Sequence, residues 1–423
     1  MDKKTTPVLL LTGYLGSGKT TLLNRILNNR KGIKFAVIVN DIGEVNIDAD
    51  LIAKGGVVKG SDDNLVALQN GCICCTLATD LMQQLSDLMA GDFDYIVIEA
   101  SGICEPEPIA RTICSMPFAA PDLVKNGLPV LDAIVTVVDA LRLKTEFDTG
   151  NALTANPGEE DIESLIIQQI EFCNIIILNK RSEVTPHDLR QIKDVIRALQ
   201  PKAEIIEADY CNVDLDKLLH SNVFDFEKTI TSATWIQEIE KPLEEIEKEE
   251  NEHHEHHHGH EHHDDHDHEH HHHEHDHDDC DHDHGVCHHH HHHHHGEGEA
   301  EEYGISTFVY YRRKPFDLNK FDWFVGKLWP KEIIRAKGVC YFSDQKDMSY
   351  LFEQAGVQKK LIEAGKWYAS APPEELEQIL AREPGLMKDW DNEYGDRMQK
   401  LVFIGKDMDR EAIIKALDDC LER

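Results

Sequence analysis

Three groups of residues in this chain have the types and spacing of chemical sites. The first is Gly13-Tyr-Leu-Gly16-Ser17-Gly18-Lys19-Thr20, which fits the pattern G-x-x-x-x-G-K-[ST]. Glycines at these places let backbone N–H groups turn inward around phosphate oxygens, and a helix beginning near Lys19 adds its positive dipole end. Lys19 then reaches the β- and γ-phosphates and Thr20 holds Mg²⁺, with Thr21 counted among the nucleotide-binding residues. A second piece follows from Tyr95–Ile98, a strand ending in Glu99-Ala-Ser-Gly102. An acid at a strand end beside a phosphate loop holds Mg²⁺ through water, and a following glycine offers its N–H to the γ-phosphate. Taken alone, Glu99 and Gly102 would be a plain strand-to-loop turn, and it is the phosphate loop beside them that favours the functional reading.

The base is read by a different strand end. Asn179-Lys180 closes the apolar run Ile175–Leu178. In an Asn-Lys-x-Asp segment the Asp accepts hydrogen bonds from guanine. Here that position is Ser182, and Glu183 follows one place later. Guanine is therefore expected with Glu183 as the carboxylate, and ATP stays open as the alternative.

The second group is Gly71-Cys72-Ile-Cys74-Cys75, between the apolar run Leu65–Leu68 and a helix beginning near Thr76. Three crowded sulfurs suit Zn²⁺ or Cu(I) better than Mg²⁺, and a following helix N-terminus favours the thiolate. The rival readings are buried structural cysteines and a redox pair, which would need only two. A site with three protein ligands stays open to exchange, as a metal donor requires. The third group is a tract in which 26 of the 28 His lie between His253 and His295, all but His187 and His220. Imidazoles among carboxylates bind Zn²⁺, Ni²⁺, Co²⁺ and Cu²⁺ at loose, low-specificity sites. A cloning tag or an inert spacer would look similar, but the tract is internal and mixed with acids.

These sites need a scaffold, and the apolar pattern supplies one. Val8–Leu11, Phe35–Val39, Leu65–Leu68, Tyr95–Ile98, Ala133–Val138, Ile175–Leu178 and Glu204–Ile206 read as strands covered on both faces. Helical stretches such as Leu81–Met89 and Leu189–Leu199 lie between them. The alternation predicts an α/β fold, a P-loop parallel sheet with helices on both faces, over residues 1–225. Residues 226–302 are expected to be a disordered linker, opened by a charged helical stretch at 235–250 and followed by the His/Asp/Glu tract. Residues 303–423 are expected to form a smaller α+β domain, with strands at Ile305–Tyr311, Val339–Phe342 and Leu401–Ile404 and helices at Phe321–Leu328 and Arg410–Leu421.

Composition sets limits on the function. A formal net charge of −36, nearly half of it from residues 252–302, argues against a nucleic-acid partner. No apolar run is long enough for a membrane helix, and the basic start followed by five apolar residues reads as neither signal peptide nor anchor. Eleven Cys, an odd count with three clustered, point to a cytoplasmic metal binder rather than a disulfide scaffold.

In this order the phosphate loop, Asn40-Asp-Ile-Gly-Glu44-Val, Gly71-Cys-Ile-Cys-Cys75, Glu99-Ala-Ser-Gly102 and Asn179-Lys180 resemble the CobW-type metallochaperone GTPases over nearly the whole chain. Asp41 and Ser182 depart from the family pattern, which has Glu and Asp there. The resemblance implies slow GTP hydrolysis coupled to metal binding at Cys72, Cys74 and Cys75, with Glu44 completing the shell, and delivery to a client metalloprotein. Zinc is the expected cargo, with cobalt or nickel insertion, or a nucleotide-binding metal buffer, as the other readings.

Overall fold

The computed structural model describes residues 4–28, 32–39, 65–69, 78–148, 162–249 and 304–423. Asn40–Glu44, Cys72, Cys74, Cys75 and the His253–His295 tract lie outside these residues. Seven strands form one parallel sheet: β1 (Thr5–Thr12), β2 (Phe35–Val39), β3 (Leu65–Gln69), β4 (Tyr95–Glu99), β5 (Leu128–Asp139), β6 (Ile175–Asn179) and β7 (Glu204–Glu207). Their spatial order is β3-β2-β4-β1-β5-β6-β7. All seven apolar runs expected to be strands are strands.

Helices between the strands cover both faces. These are α1 (Lys19–Leu27), α2 (Ala78–Met89), α3 (Pro106–Ala119), α4 (Ala140–Asp148), α5 (Ile162–Glu171) and α6 (Pro186–Leu199). Strands β2, β4 and β6 are buried at every position, which is why they read as unbroken apolar runs rather than alternating ones. Helix α6 begins where it does because Thr185 and Asp188 form a reciprocal capping box. Since all strands run the same way, their carboxyl ends share one edge. Val39 and Leu11 both register with Glu99, and Asp139 registers with Asn179.

The linker boundary expected from composition is corrected here. Residues 226–249 are folded, with α7 (Phe226–Ile230), α8 (Thr234–Glu240) and a further helical stretch at 243–249. Ala233 and Ile246 are buried. The acidic surface of this segment hid a few apolar positions that are enough to dock it.

The second sheet is antiparallel, in the order β11-β10-β9-β12-β8. It comprises β8 (Ile305–Arg312), β9 (Ile333–Cys340), β10 (Met348–Ala355), β11 (Gln358–Lys366) and β12 (Gln399–Lys406). Helices α9 (Leu318–Trp323), α10 (Pro373–Arg382) and α11 (Arg410–Asp418) accompany it. The stretch expected to be one helix at Phe321–Leu328 is the end of α9 followed by a widened turn at Phe324–Leu328. The strand expected at Val339–Phe342 begins earlier, at Ile333.

The two faces of this sheet do different work. Phe308, Tyr310, Leu401 and Phe403 join Phe316, Phe321 and Leu417 in a separate core. Val309, Tyr311, Val402 and Ile404, at the alternate positions, join the core built on the parallel sheet. Arg335 of β9 crosses the same junction, only 1% exposed, with Nε and Nη2 each 2.8 Å from a different oxygen of Glu171 and Nη2 also 2.8 Å from Glu353. Lys337 lies over the Trp235 ring, 4.1 Å from its centroid. Among the described residues no helix is long and apolar enough to cross a membrane.

A buried ion pair is costly to break from one side, because the partner is left charged and dry. Arg335→Met is expected to destabilise the protein by roughly 3–5 kcal/mol. Chemical denaturation checks this, and a loss below about 1 kcal/mol would mean that the pair does not hold the junction.

Candidate functional site

The carboxyl edge of the parallel sheet collects the residues expected to bind a nucleotide. The loop from Gly13 to Gly18 connects β1 to α1, and its three glycines have φ of 136°, 77° and 116°. Gly18 is the residue before α1, and a Cβ there would lie 2.6 Å from Asn179 Nδ2. No side chain caps that helix end, so its first N–H groups face the loop. Ser17 is buried, and among the described residues its Oγ has no hydrogen-bond partner. Lys19 is buried too, with Nζ donating to Tyr14 O at 3.2 Å, so its ammonium lies folded over the loop. Thr21, one place further, is exposed.

Glu99 at the end of β4 is buried, and Thr20 Oγ1 donates to its Oε1 at 3.0 Å. The structure thus brings together the hydroxyl and carboxylate that the sequence assigned to one cation. Gly102 packs on the phosphate loop itself, where an added Cβ would lie 2.7 Å from Leu15 N. Any larger residue would push the two loops apart. Gln169 on α5 holds this segment from behind, Nε2 donating to Gly102 O and Cys104 O at 3.1 Å each. A line of buried hydroxyls continues from it. Thr136 Oγ1 donates to Gln169 O at 2.9 Å and lies 2.8 Å from Thr12 Oγ1.

The other half of the site lies at the ends of β6 and β7. Asn179, 2% exposed, donates from Nδ2 to Ser17 O at 2.8 Å and accepts at Oδ1 from Cys211 N at 2.9 Å. One amide therefore ties the phosphate loop to the loop after β7. Lys180 has φ of 58° and its Nζ lies 2.5 Å from Asp139 Oδ2. Ser182 donates from both N and Oγ to Asp209 Oδ1, each at 2.8 Å. Those bonds, the backbone one first, hold the Asp209 carboxyl below the usual carboxylate range. Glu183 sits exposed on the short turn Arg181–Glu183, its N–H closing back on Lys180 O at 3.0 Å.

Three contributors escaped the sequence reading. Asp139 carried a weak signal, an acid at a strand end. Gln169 and Asp209 carried none, because their partners lie 67 and 27 positions away. Of the metal-binding candidates, Glu44, Cys72, Cys74, Cys75 and the His253–His295 tract lie outside the described residues. Among the described residues no three His, Cys, Asp or Glu side chains gather into a metal site. Cys173 and Cys211 are buried, and burial pushes each thiol up to about 12.

Known proteins match this arrangement. Residues 7–207 match the CobW/HypB/UreG nucleotide-binding domain, and residues 305–421 match the cobalamin synthesis protein cobW C-terminal domain. Zinc-regulated GTPase metalloprotein activator 1 of Dictyostelium discoideum is 31% identical over 435 residues, covering 98% of this chain and 79% of that protein. Zinc chaperone CobW of a Sinorhizobium species is 31% identical over 214 residues, which is 48% of this chain and 58% of that protein. The crystal structure of Zn(II)-bound YjiA GTPase from E. coli matches over both full chains at 19% identity with a TM-score of 0.39, too loose a likeness to argue from. The two matched regions occur in order along one chain, around the phosphate loop, the Glu99 strand end and the Asn179 clamp just described. The chain belongs to the CobW/HypB/UreG family of P-loop GTPases and carries the CobW C-terminal domain behind its nucleotide-binding domain.

Proposed function

We propose that this GTPase is a zinc metallochaperone. It binds zinc as cargo at Cys72, Cys74 and Cys75, with Glu44 completing the shell, and passes it to a client metalloprotein in step with GTP hydrolysis. The observation that carries this reading is the shared edge. Strands β3, β2 and β4 lie side by side, with Gln69, Val39 and Glu99 in register. The sequence reaches Cys72 three residues after Gln69, and Asn40–Glu44 follows Val39 directly. Helix α2 begins three residues after Cys75, and a helix N-terminus favours the thiolates that zinc needs. The curated relatives named above as a zinc-regulated activator and a zinc chaperone support the same cargo.

In this reading Lys19 leaves Tyr14 O and meets the β- and γ-phosphates, while Gly102 offers its N–H to the γ-phosphate. Thr20 and Glu99, the latter through water, would hold Mg²⁺, which would supply positive charge against the phosphate oxygens. Gly13, Gly16, Ser17, Gly18 and Thr21 surround the phosphates, and Asn179 and Lys180 frame the base. Loss of the γ-phosphate releases the segment at Gly102 and, through Asn40–Glu44, the metal shell. The His253–His295 tract adds loose sites that load the thiol cluster.

Lys19→Ala is expected to lower turnover by at least roughly a hundredfold, the scale of losing one phosphate-stabilising donor. A steady-state phosphate-release assay on protein with an unchanged melting curve checks it. Near-normal turnover there would remove the enzymatic part of the reading.

Zinc competition against a chelator tests the coupling. The full-length Cys74→Ala variant and a Glu252–Gly296 deletion would be measured beside the parent in apo, GDP-bound and GTP-analogue states. The GTP analogue is expected to tighten the one strong site by about 1–3 kcal/mol. The deletion should keep that shift while binding fewer metals, and Cys74→Ala should lose the shift yet bind nucleotide normally. Identical zinc affinities in all three states of the parent would mean that no mechanism joins the metal to the nucleotide.

A further inference from the structure

Guanine presents two adjacent donors, N1–H and the exocyclic N2–H, whereas adenine presents an acceptor at N1. A site that prefers guanine therefore needs a fixed carboxylate at the end of the Asn179-Lys180 segment, where this chain has a hydroxyl, Ser182. The carboxylate comes from the neighbouring loop. Strands β6 and β7 are parallel neighbours with Leu178 opposite Glu207, so the loops leaving them run side by side. Arg181 N donates to Ala208 O at 3.2 Å and Cys211 N donates to Asn179 Oδ1 at 2.9 Å. Asp209 lies between these two staples, its Oδ1 held by Ser182 N and Oγ at 2.8 Å each. Among the described residues its Oδ2 accepts no hydrogen bond, and a carboxylate oxygen has two lone pairs to offer.

We propose that Asp209 is the residue that reads guanine, with Ser182 holding it in place. Relative to an Asn-Lys-x-Asp segment, the acid stands on the neighbouring loop and a hydroxyl takes its usual place. This rests on the GTPase reading of the same site and assigns its base specificity to a residue that no motif marks. It also relieves Glu183 of that role, since Glu183 stands exposed on the turn with no bond from its neighbours fixing its carboxylate among the hydrogen bonds described. Tyr210, next to Asp209, has its carbonyl tied to Arg25 Nε of α1 at 2.8 Å, so the loop is anchored on both sides.

The test is equilibrium binding of GTP, ATP and xanthosine triphosphate to the full chain. Xanthine carries a carbonyl acceptor where guanine carries the N2 amine. Asp209→Asn keeps an oxygen for Ser182 and offers an amide donor to that carbonyl. It is expected to weaken GTP by about one to two orders of magnitude, tighten xanthosine triphosphate by a similar factor, and leave the melting curve unchanged. Glu183→Gln should leave all three affinities as they are. The exchange variant Ser182→Asp with Asp209→Ser should restore the preference for GTP, which guards against a simple folding defect. If Asp209→Asn keeps its preference for GTP, or if Glu183→Gln causes the switch, the assignment to Asp209 is overturned while the GTPase reading stands. If the unaltered chain binds ATP as tightly as GTP, the reading beneath it fails as well.

Discussion

A phosphate-binding loop must leave N–H groups free for the ligand, so its own bonds, such as Ser17 N to Tyr14 O at 3.2 Å, hold it only in part. Everything around Gly13–Gly18 follows from that constraint. The loop is held from outside: Asn179 takes Ser17 O, Gly102 sits against Leu15 N, and Gly18 leaves just enough room for the Asn179 amide. Each support comes from a different strand end, and only a parallel sheet brings the ends of β1, β4 and β6 to one edge without long excursions. Asn179 is also bonded to Cys211 N, so the loop after β1 and the loop after β7 are tied by one buried amide. Replacing that amide would remove a hydrogen bond from each of the two loops at once.

Helix α5 extends this support to the C-terminal domain. Gln169 holds the Gly102 segment, and two residues later Glu171 holds Arg335. A displacement of α5 therefore bears on both ends, on the Gly102 segment beside the phosphate loop and on a buried ion pair with the second sheet. The same sheet has its alternate positions in the core of the nucleotide-binding domain, through Val309, Tyr311, Val402 and Ile404. Packed interiors pass on such displacements rather than absorbing them, because there is little free volume to take them up. The C-terminal domain is thus packed onto the core of the nucleotide-binding domain and is more than a module on a tether.

What the sequence disclosed, and what it withheld, divides along one physical line. Contacts between residues close in the chain, or forced by a strand end, leave local patterns. The seven parallel strands, the phosphate loop, Glu99 beside Thr20, and Asn179 were legible for that reason. Contacts between distant loops leave none, so Gln169 and Asp209 could not be found, and Ser182 stood as an unexplained departure. The C-terminal strands β10 and β11 were missed because they lie at or near an open edge. In β11 most positions are exposed, and Lys359, Lys360, Glu363 and Lys366 break the apolar rhythm. Residues 226–249 were misassigned because acidic composition outweighed a few buried contacts such as Ile246.

The cysteines show how environment assigns chemistry to a side chain. Cys104, Cys173, Cys211 and Cys340 are buried among apolar neighbours, and burial raises the thiols of Cys173, Cys211 and Cys340 well above neutrality. As neutral thiols they pack like small apolar residues and offer little to a metal ion. A zinc ligand must be a thiolate, which needs water, a nearby positive potential or the metal itself. In this chain those conditions are offered at the carboxyl edge of the sheet, where helix N-termini and loops converge, and not inside either core. In the sequence Cys72, Cys74 and Cys75 come three to six residues after Gln69, the last residue of a strand that ends at that edge. The positive potential that suits a phosphate loop to an anion would equally favour an ionised sulfur, which is the physical argument for the proposed coupling of nucleotide and metal chemistry.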